Sequence, residues 1–453
     1  MFFKQKVNAI HVPHNKNTAN CASVQLPPPA EVAVPMSMHS GSPAVPVVAV
    51  GDHVFVGQLI GREDGKISAP VHATVSGTVK AIEDRPRTGG GKCLSIVIES
   101  DGKMEKDPDL KAPVATNLQE FLDAIKLSGI VGLGGAAFPV WKKFEAVVSD
   151  VPEVLLINGA ECEPYATSDT RTMIEDGEYV KKGIELVKEY CKIPKYVIGV
   201  ESNKPEAIAN LQEIFKDDPS VEVKTLKSAY PQGAKQVLLF NATGKVVKEG
   251  ARLSSVGALI INVTSLAKVA HFFEDGMPLV SRVVTVDGSA INKPGNYVIP
   301  IGTSLKDVAE MAGGFKCDPG KIIVGGPMMG PAAACLEEPV IKATNCIVVM
   351  DEKDATVKAE SACINCGRCV EACPLSLTPT AFQHALEIED EDVRYATLKK
   401  EYIKTCMECG CCAFVCPAHR QIVDMNRKAK KFVRGYENAL KEKEAAAKEG
   451  GKA

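Results

Sequence analysis

The sequence predicts a multidomain chain of mixed α/β and β class. An all-β unit comes first, then an α/β unit, a small β unit with one helix, and a helical cysteine-rich unit. Three observations predict this. Short apolar alternations broken by Gly and Pro fill the first 110 residues. Segments of helical and strand period then alternate to about residue 278. Nine of the sixteen cysteines fall between Cys363 and Cys416. A length of 453 residues allows three or four cores of ordinary domain size.

Composition narrows the class. A net charge of -3 gives no global attraction to nucleic acid. No run of about 18 uncharged apolar residues is present, so no transmembrane helix is expected. Met1 to Lys6 has no apolar core and no cleavage site, so no secretory leader is expected. So many thiols without a leader suit the reducing cytoplasm.

Residues 1–110 carry strand pairs at Val48–Ile60 and Ser68–Val79. They resemble the barrel-sandwich hybrid of lipoyl and biotinyl domains. The Met-Lys-Met of a swinging arm is missing and Lys66 sits in a plain Gly-Lys turn, so the unit reads as a packing module. Residues 111–278 read as α/β. Strands are expected at Glu153–Asn158, Tyr196–Val200, Val221–Leu226 and Ala258–Asn262. Helices are expected at Ile174–Tyr190, Pro205–Phe215 and Ser265–Phe273. Residues 279–350 hold short strands around one helix, capped by Ser304 and ended by Gly313-Gly314, a pattern that suits a β-grasp. Residues 351–425 are helical and cysteine-rich. Residues 426–453 read as a charged helical tail fraying into Gly450-Gly451.

Two complete C-x₂-C-x₂-C-x₃-C-P runs carry the chemistry. The first is Cys363, Cys366, Cys369 and Cys373; the second is Cys406, Cys409, Cys412 and Cys416. Three closely spaced thiolates wrap one four-iron cluster, and the fourth, before Pro, reaches the other. Cys363, Cys366, Cys369 and Cys416 are therefore expected on one [4Fe–4S] cluster, and Cys406, Cys409, Cys412 and Cys373 on the other. Zinc prefers two separated C-x-x-C hooks, which this pattern does not match. Cys411 is a ninth thiol beside the second set, read as a core residue or as a neighbour of the ligands.

Two further segments point to a nucleotide. Gly132-Leu133-Gly134-Gly135-Ala136-Ala137-Phe138-Pro139 formally fits G-x-G-x-x-A, but a helix precedes it where a Rossmann fingerprint needs a strand. It reads as a phosphate cradle at a helix start, with Lys142 and Lys143 adding charge. Asn158-Gly159-Ala160-Glu161-Cys162-Glu163-Pro164-Tyr165 follows a buried strand, where α/β ligands gather. It serves either to hydrogen-bond a flavin or nicotinamide, or to cap the next helix, with Asp169 the expected cap.

Together these residues resemble the RnfC family, the NADH-side components of Rnf ferredoxin:NAD⁺ oxidoreductase complexes. The resemblance rests on Ala9–Lys16, Pro35–His39 with Gly51-Asp52, Gly132–Pro139, Leu155–Tyr165, Tyr230-Pro231-Gln232-Gly233 and both cysteine runs. It implies an α/β domain similar to the flavoprotein of complex I, with FMN over Gly132, Gly134 and Gly135 and NAD(H) as substrate. It places Phe138, Lys143, Asn158, Glu163, Glu201, Tyr230 and Asn262 in the pocket, with Glu163 the catalytic candidate. It makes residues 279–350 a soluble-ligand-binding (SLBB) β-grasp. Trp141, Val140, Ala234 and Ala160 depart from the pattern expected at their positions. The resemblance implies hydride exchange with FMN, single-electron transfer through two clusters, ferredoxin upstream, and Rnf partner subunits that move Na⁺ or H⁺ across the membrane. The chain would sit peripherally on the cytoplasmic face, touching the membrane through those partners. The basic run Arg427, Lys428, Lys430, Lys431 and Arg434 would meet lipid or an acidic partner, or face solvent. Two rivals share the layout: a cobalamin reductase of the propanediol-utilisation type, and a non-enzymatic cluster relay.

Overall fold

A computed structural model describes residues 7–450, the side chains of 446–450 excepted. The N-terminal hexapeptide, read above as lacking a leader, and Gly451 lie outside the described residues.

The all-β unit follows a short strand β1 (Ser23–Gln25). One antiparallel sheet orders as β2-β8-β7-β4, from β2 (Glu31–Pro35), β4 (His53–Val54), β7 (Gly77–Pro86) and β8 (Lys92–Ser100). The other orders as β3-β5-β6, from β3 (Val45–Pro46), β5 (Leu59–Arg62) and β6 (Val71–His72). Alternation sends Val32 and Val34 inward against Ile96 and Ile98, with Ile60, Val71 and Val79 closing the core.

The α/β unit holds a parallel sheet ordered β11-β10-β9-β12. Its strands are β9 (Val154–Gly159), β10 (Tyr196–Glu201), β11 (Val221–Leu226) and β12 (Ala258–Asn262). Leu155 and Ile157 face one core while Val154 and Leu156 face another, so β9 is apolar on both sides. The order reverses between β9 and β12, and their last residues, Asn158 and Asn262, are paired in register. That crevice is where ligands bind open α/β sheets.

The helices are α1 (Leu118–Leu127), α2 (Val140–Phe144), α3 (Ala146–Ser149), α4 (Ser168–Glu175), α5 (Gly177–Cys191), α6 (Pro205–Ile214), α7 (Lys235–Thr243) and α8 (Val263–Asp275). The helix expected from Ile174 to Tyr190 is thus two, broken at Asp176. A Cβ on Gly177 would lie 2.6 Å from Ile214 and 2.7 Å from Asn210, so glycine lets α6 approach the break. Helix α7 was not expected, because its buried Val237-Leu238-Leu239 run lacks an amphipathic period.

The third unit is a five-stranded sheet, β1-β14-β13-β16-β15, with β13 (Ser281–Asp287), β14 (Gly295–Pro300), β15 (Lys321–Val324) and β16 (Cys346–Met350). Helix α9 (Leu305–Met311) is capped by Ser304, which accepts from the Asp307 N–H. β1 pairs in parallel with β14, so Ser23–Gln25, ahead of the β unit's own sheets, add an edge strand to this third sheet.

The last unit begins after α10 (Glu352–Ala355). It contains α11 (Arg368–Glu371), α12 (Pro379–Leu386), α13 (Glu391–Lys400), α14 (Cys411–Phe414) and α15 (Ile422–Gly450). Helix α15 runs through the boundary expected at 425. Its Ala429 and Val433 are wholly buried against Phe382, Leu398 and Ile403. The basic run is therefore one face of a packed helix. No helix among the described residues is long and apolar enough to cross a membrane.

Candidate functional site

The glycine loop lies over the β9/β12 crevice. Ser265, in the first turn of α8, accepts from the Leu133 N–H at 2.8 Å and donates to Val131 O at 3.0 Å. The Asn262 Oδ1 caps the same helix through the Ser265 N–H. Ser40 of the β unit clasps the far side through Ala136 O and Ala137 O, and Trp141 donates to Ser68 O. Gly134, Gly135 and Ala136 are exposed residues, and their N–H groups find no acceptor among the described residues. Gly135 has φ +101° with open space where a side chain would stand. Successive free N–H groups form an anion nest. Helix α2 spans only five residues, so the cradle is the loop itself and not a long helix dipole.

Lys143 reaches this loop, with its ammonium 3.2 Å from where a Cβ of Gly132 would be. Burial, then the neighbouring Lys235, pushes it down to about 8. No carboxylate among the described residues pairs with it, which leaves a positive charge for a phosphate. Lys235 was missed from sequence; only the fold brings it beside Lys143. Free donors and unopposed ammonium groups fit the phosphate end of FMN or a dinucleotide.

Other expected pocket residues spend their polar groups on one another. Asn262 donates to Asp169 at 2.8 Å and sits under Gly134. Asn158 donates to Gly233 O at 3.0 Å and accepts from the Ala160 N–H. Glu201, 1% exposed, meets Lys204 at 3.1 Å and the Ala229 N–H at 3.2 Å. Phe138 closes the loop, its carbonyl accepting from the Gly132 N–H at 2.8 Å. These groups build walls and floor, while the donors left over belong to the loop and Lys143.

The 158–165 block divides its two acids. Glu161 accepts from the Asp169 and Thr170 N–H groups and the Thr170 hydroxyl, so it caps α4. Asp169 is not that cap. It lies inside the first turn, accepting from Asn262 and Thr264. Burial, then Glu161, raises it to about 6. Glu163 accepts from the Met328 N–H at 3.0 Å and is raised to about 7, chiefly by burial. Glu161 and Tyr165 sit at φ 49° and 67°, a conformation that costs non-glycine residues about 1–3 kcal/mol. Lys16 holds this shape by donating to Glu161 O (2.8 Å), Glu163 O (2.8 Å) and Ala166 O (2.5 Å). No local pattern could reveal a lysine acting across that sequence distance.

The eight cysteines surround two cavities. Cys373, Cys406, Cys409 and Cys412 line one, with Cys411 beside them. Cys363, Cys366, Cys369 and Cys416 line the other. The two runs share one backbone design. Asn365 and Gly367 in the first, and Glu408 and Gly410 in the second, take positive φ before α11 and α14. No three candidate ligands among the described residues converge on the place of a single ion. Two sets of four thiols spread around cavities fit four-iron clusters.

One cavity is internal and the other faces outward. Tyr230, 1% exposed, donates from its hydroxyl to Cys409 O at 2.7 Å and stands 3.5 Å from Glu163. Asn8 donates to Cys373 O, and Gly410 packs on Met328. Leu377 N–H and Asn426 donate to the Cys373 and Cys406 sulfurs. The other set keeps Cys363 and Cys366 exposed, beside exposed Ile364.

A glycine loop with free donors at the crevice of an α/β sheet, joined to paired four-thiol cavities, has the layout of an iron–sulfur flavoprotein of the electron-transfer class. Family comparisons give the same order of domains. Residues 5–103 match the RnfC barrel-sandwich hybrid domain, 125–271 the Nuo51 FMN-binding domain, 283–332 the SLBB domain and 359–447 the 4Fe-4S dicluster domain. The chain is 40% identical to the RnfC-type component of the proton-translocating ferredoxin:NAD(+) oxidoreductase complex of Clostridium ljungdahlii, over 85% of this chain and 84% of that one. It is 41% identical to the counterpart in the Na(+)-translocating ferredoxin:NAD(+) oxidoreductase complex of Acetobacterium woodii, over 82% and 84%. It is 34% identical to the corresponding component of the ion-translocating oxidoreductase complex of Pasteurella multocida, over 96% of this chain and 52% of that longer one. The chain belongs to the RnfC family.

Proposed function

We propose that this chain exchanges hydride with NAD(H) at an FMN seated over Gly132–Gly135, and passes single electrons through two [4Fe–4S] clusters to partner subunits of a ferredoxin:NAD⁺ oxidoreductase. The observation that carries this is the packed link from the 158–165 block to the cluster cavity, where the Tyr230 hydroxyl donates to Cys409 O and stands 3.5 Å from the Glu163 carboxyl. It makes the cluster on Cys373, Cys406, Cys409 and Cys412 the inner one. The cluster on Cys363, Cys366, Cys369 and Cys416 becomes the outer one, with an exposed edge for a partner.

Bound FMN would supply the conversion between electron pairs and single electrons. The chain's own residues do the rest. The Gly134, Gly135 and Ala136 N–H groups and Lys143 hold the phosphate. Asn158, Glu201 and Asn262 keep the crevice in shape. Glu163, poised near neutrality by burial, holds or releases a proton at its carboxyl. Ion coupling, by Na⁺ or H⁺, belongs to membrane subunits, with ferredoxin upstream. The chain attaches peripherally on the cytoplasmic face.

Anaerobic titration with NADH tests this. Stepwise bleaching of flavin and then cluster absorbance is expected. NADH that bleaches neither would leave a passive relay. The names of the relatives favour this reading over a cobalamin reductase.

A further inference from the structure

We propose that Arg282, from the third domain, is a positioning residue for the phosphate loop of the second. The inference rests on the reading that Gly132–Gly135 cradles the FMN phosphate. Arg282 is 1% exposed and stands on β13. Its guanidinium donates to Leu133 O at 3.1 Å and to Lys342 O. It makes no ion pair with a carboxylate among the described residues; Asp169 acts on it only through its field. A buried guanidinium is costly unless its donors are used. Here three of them meet neutral carbonyls, Nε the neighbouring Val283 O at 3.5 Å and the other two Lys342 O and, in the glycine loop, Leu133 O.

The consequence follows from peptide planarity. Leu133 C=O and Gly134 N–H belong to one trans peptide plane and point in opposite directions. Drawing the carbonyl into the core toward Arg282 turns the Gly134 N–H outward, where it has no acceptor among the described residues. The preceding Leu133 N–H is fixed by Ser265 from α8. Upstream, Lys342 of the same third domain holds Gly129 O at 2.8 Å and Pro70 O at 2.7 Å. The third domain therefore sets the angle of the donors as well as packing beside them. The same guanidinium leaves a positive charge one peptide behind the anion site. Lysine could reach one carbonyl but lacks the planar fork.

The experiment compares FMN with riboflavin, which lacks the phosphate. Affinities are read by flavin fluorescence quenching in anaerobically prepared full-length protein of normal iron content. Arg282→Met is expected to weaken FMN roughly tenfold, about 1.4 kcal/mol, while riboflavin is unchanged. Arg282→Lys is expected to fall between, and it decides the matter if the Met variant does not fold. Gly135→Val, which fills the cradle, is the control and should weaken FMN as well. Equal loss of both flavins in the Arg282 variants would show a merely structural residue and overturn the proposal. So would unchanged FMN affinity in those variants while Gly135→Val loses it. Unchanged FMN affinity in Gly135→Val would instead remove the loop reading, and the proposal with it.

Discussion

Replacing Glu163 by Gln removes a charge from the link between pocket and inner cluster while keeping an acceptor for the Met328 N–H. Burial raises the carboxyl from 4.5 to about 7, against the pull of Met328, Lys16 and Tyr230. That rise amounts to about 3 kcal/mol of discrimination against the charged form. The folded state binds this proton more tightly than the unfolded one. The associated stability is therefore complete below about pH 4.5 and lost as pH rises through about 7. Glu163→Gln should accordingly gain roughly 2–3 kcal/mol relative to the parent between pH 5 and 8. Infrared difference spectra across pH steps give the direct assay: a protonated carboxyl band titrating near pH 7 and missing from the variant. A band titrating near pH 4.5, or identical spectra from the two proteins, would refute the reasoning.

Three further outcomes follow. A Cβ at Gly326 would run into the Glu163 carboxyl, so Gly326→Ala should cost about 1–3 kcal/mol by overpacking; thermal melts together with flavin-to-cluster electron-transfer rates check it, and unchanged values of both would count against the contact. Cys373→Ser should alter the electron paramagnetic resonance signal of the cluster on Cys406, Cys409 and Cys412 and spare the other, while Cys416→Ser should do the reverse; the opposite assignment would break the crosswise grouping. Asn426→Leu removes the donor to Cys406 Sγ, leaves more negative charge on the inner cluster and should lower its potential; spectroelectrochemistry would read an unmoved potential as evidence against that bond.

Much of the architecture was legible because its signals are local. The apolar run at Val154–Ile157 reads as a strand buried on both faces, Ser304 reads as a cap, and the cysteine spacing names its own chemistry. The missing parts depend on distance. Lys16 steadies the 161–166 turn from the far N-terminus, β1 joins a sheet whose other strands begin at Ser281, and Lys235 meets Lys143 only once α7 folds. The division of labour between Glu161 and Glu163 was equally hidden, since both flank Cys162 and only tertiary contacts decide which one caps α4. Asn158 and Asn262 were placed at the crevice from sequence; that their amides donate to Gly233 O and Asp169 was not legible there. Helix α15 erased an expected boundary because Ala429 and Val433 carry its packing inside a stretch that composition marks as charged.

One chain is proposed to carry both a flavin loop and two complete four-thiol sites. Quantifying iron, acid-labile sulfide and flavin in the same anaerobic preparation tests it most directly. About eight irons, about eight sulfides and about one FMN per chain are predicted. Zinc in place of iron, or about four irons with the second set of thiols free to react, would contradict it.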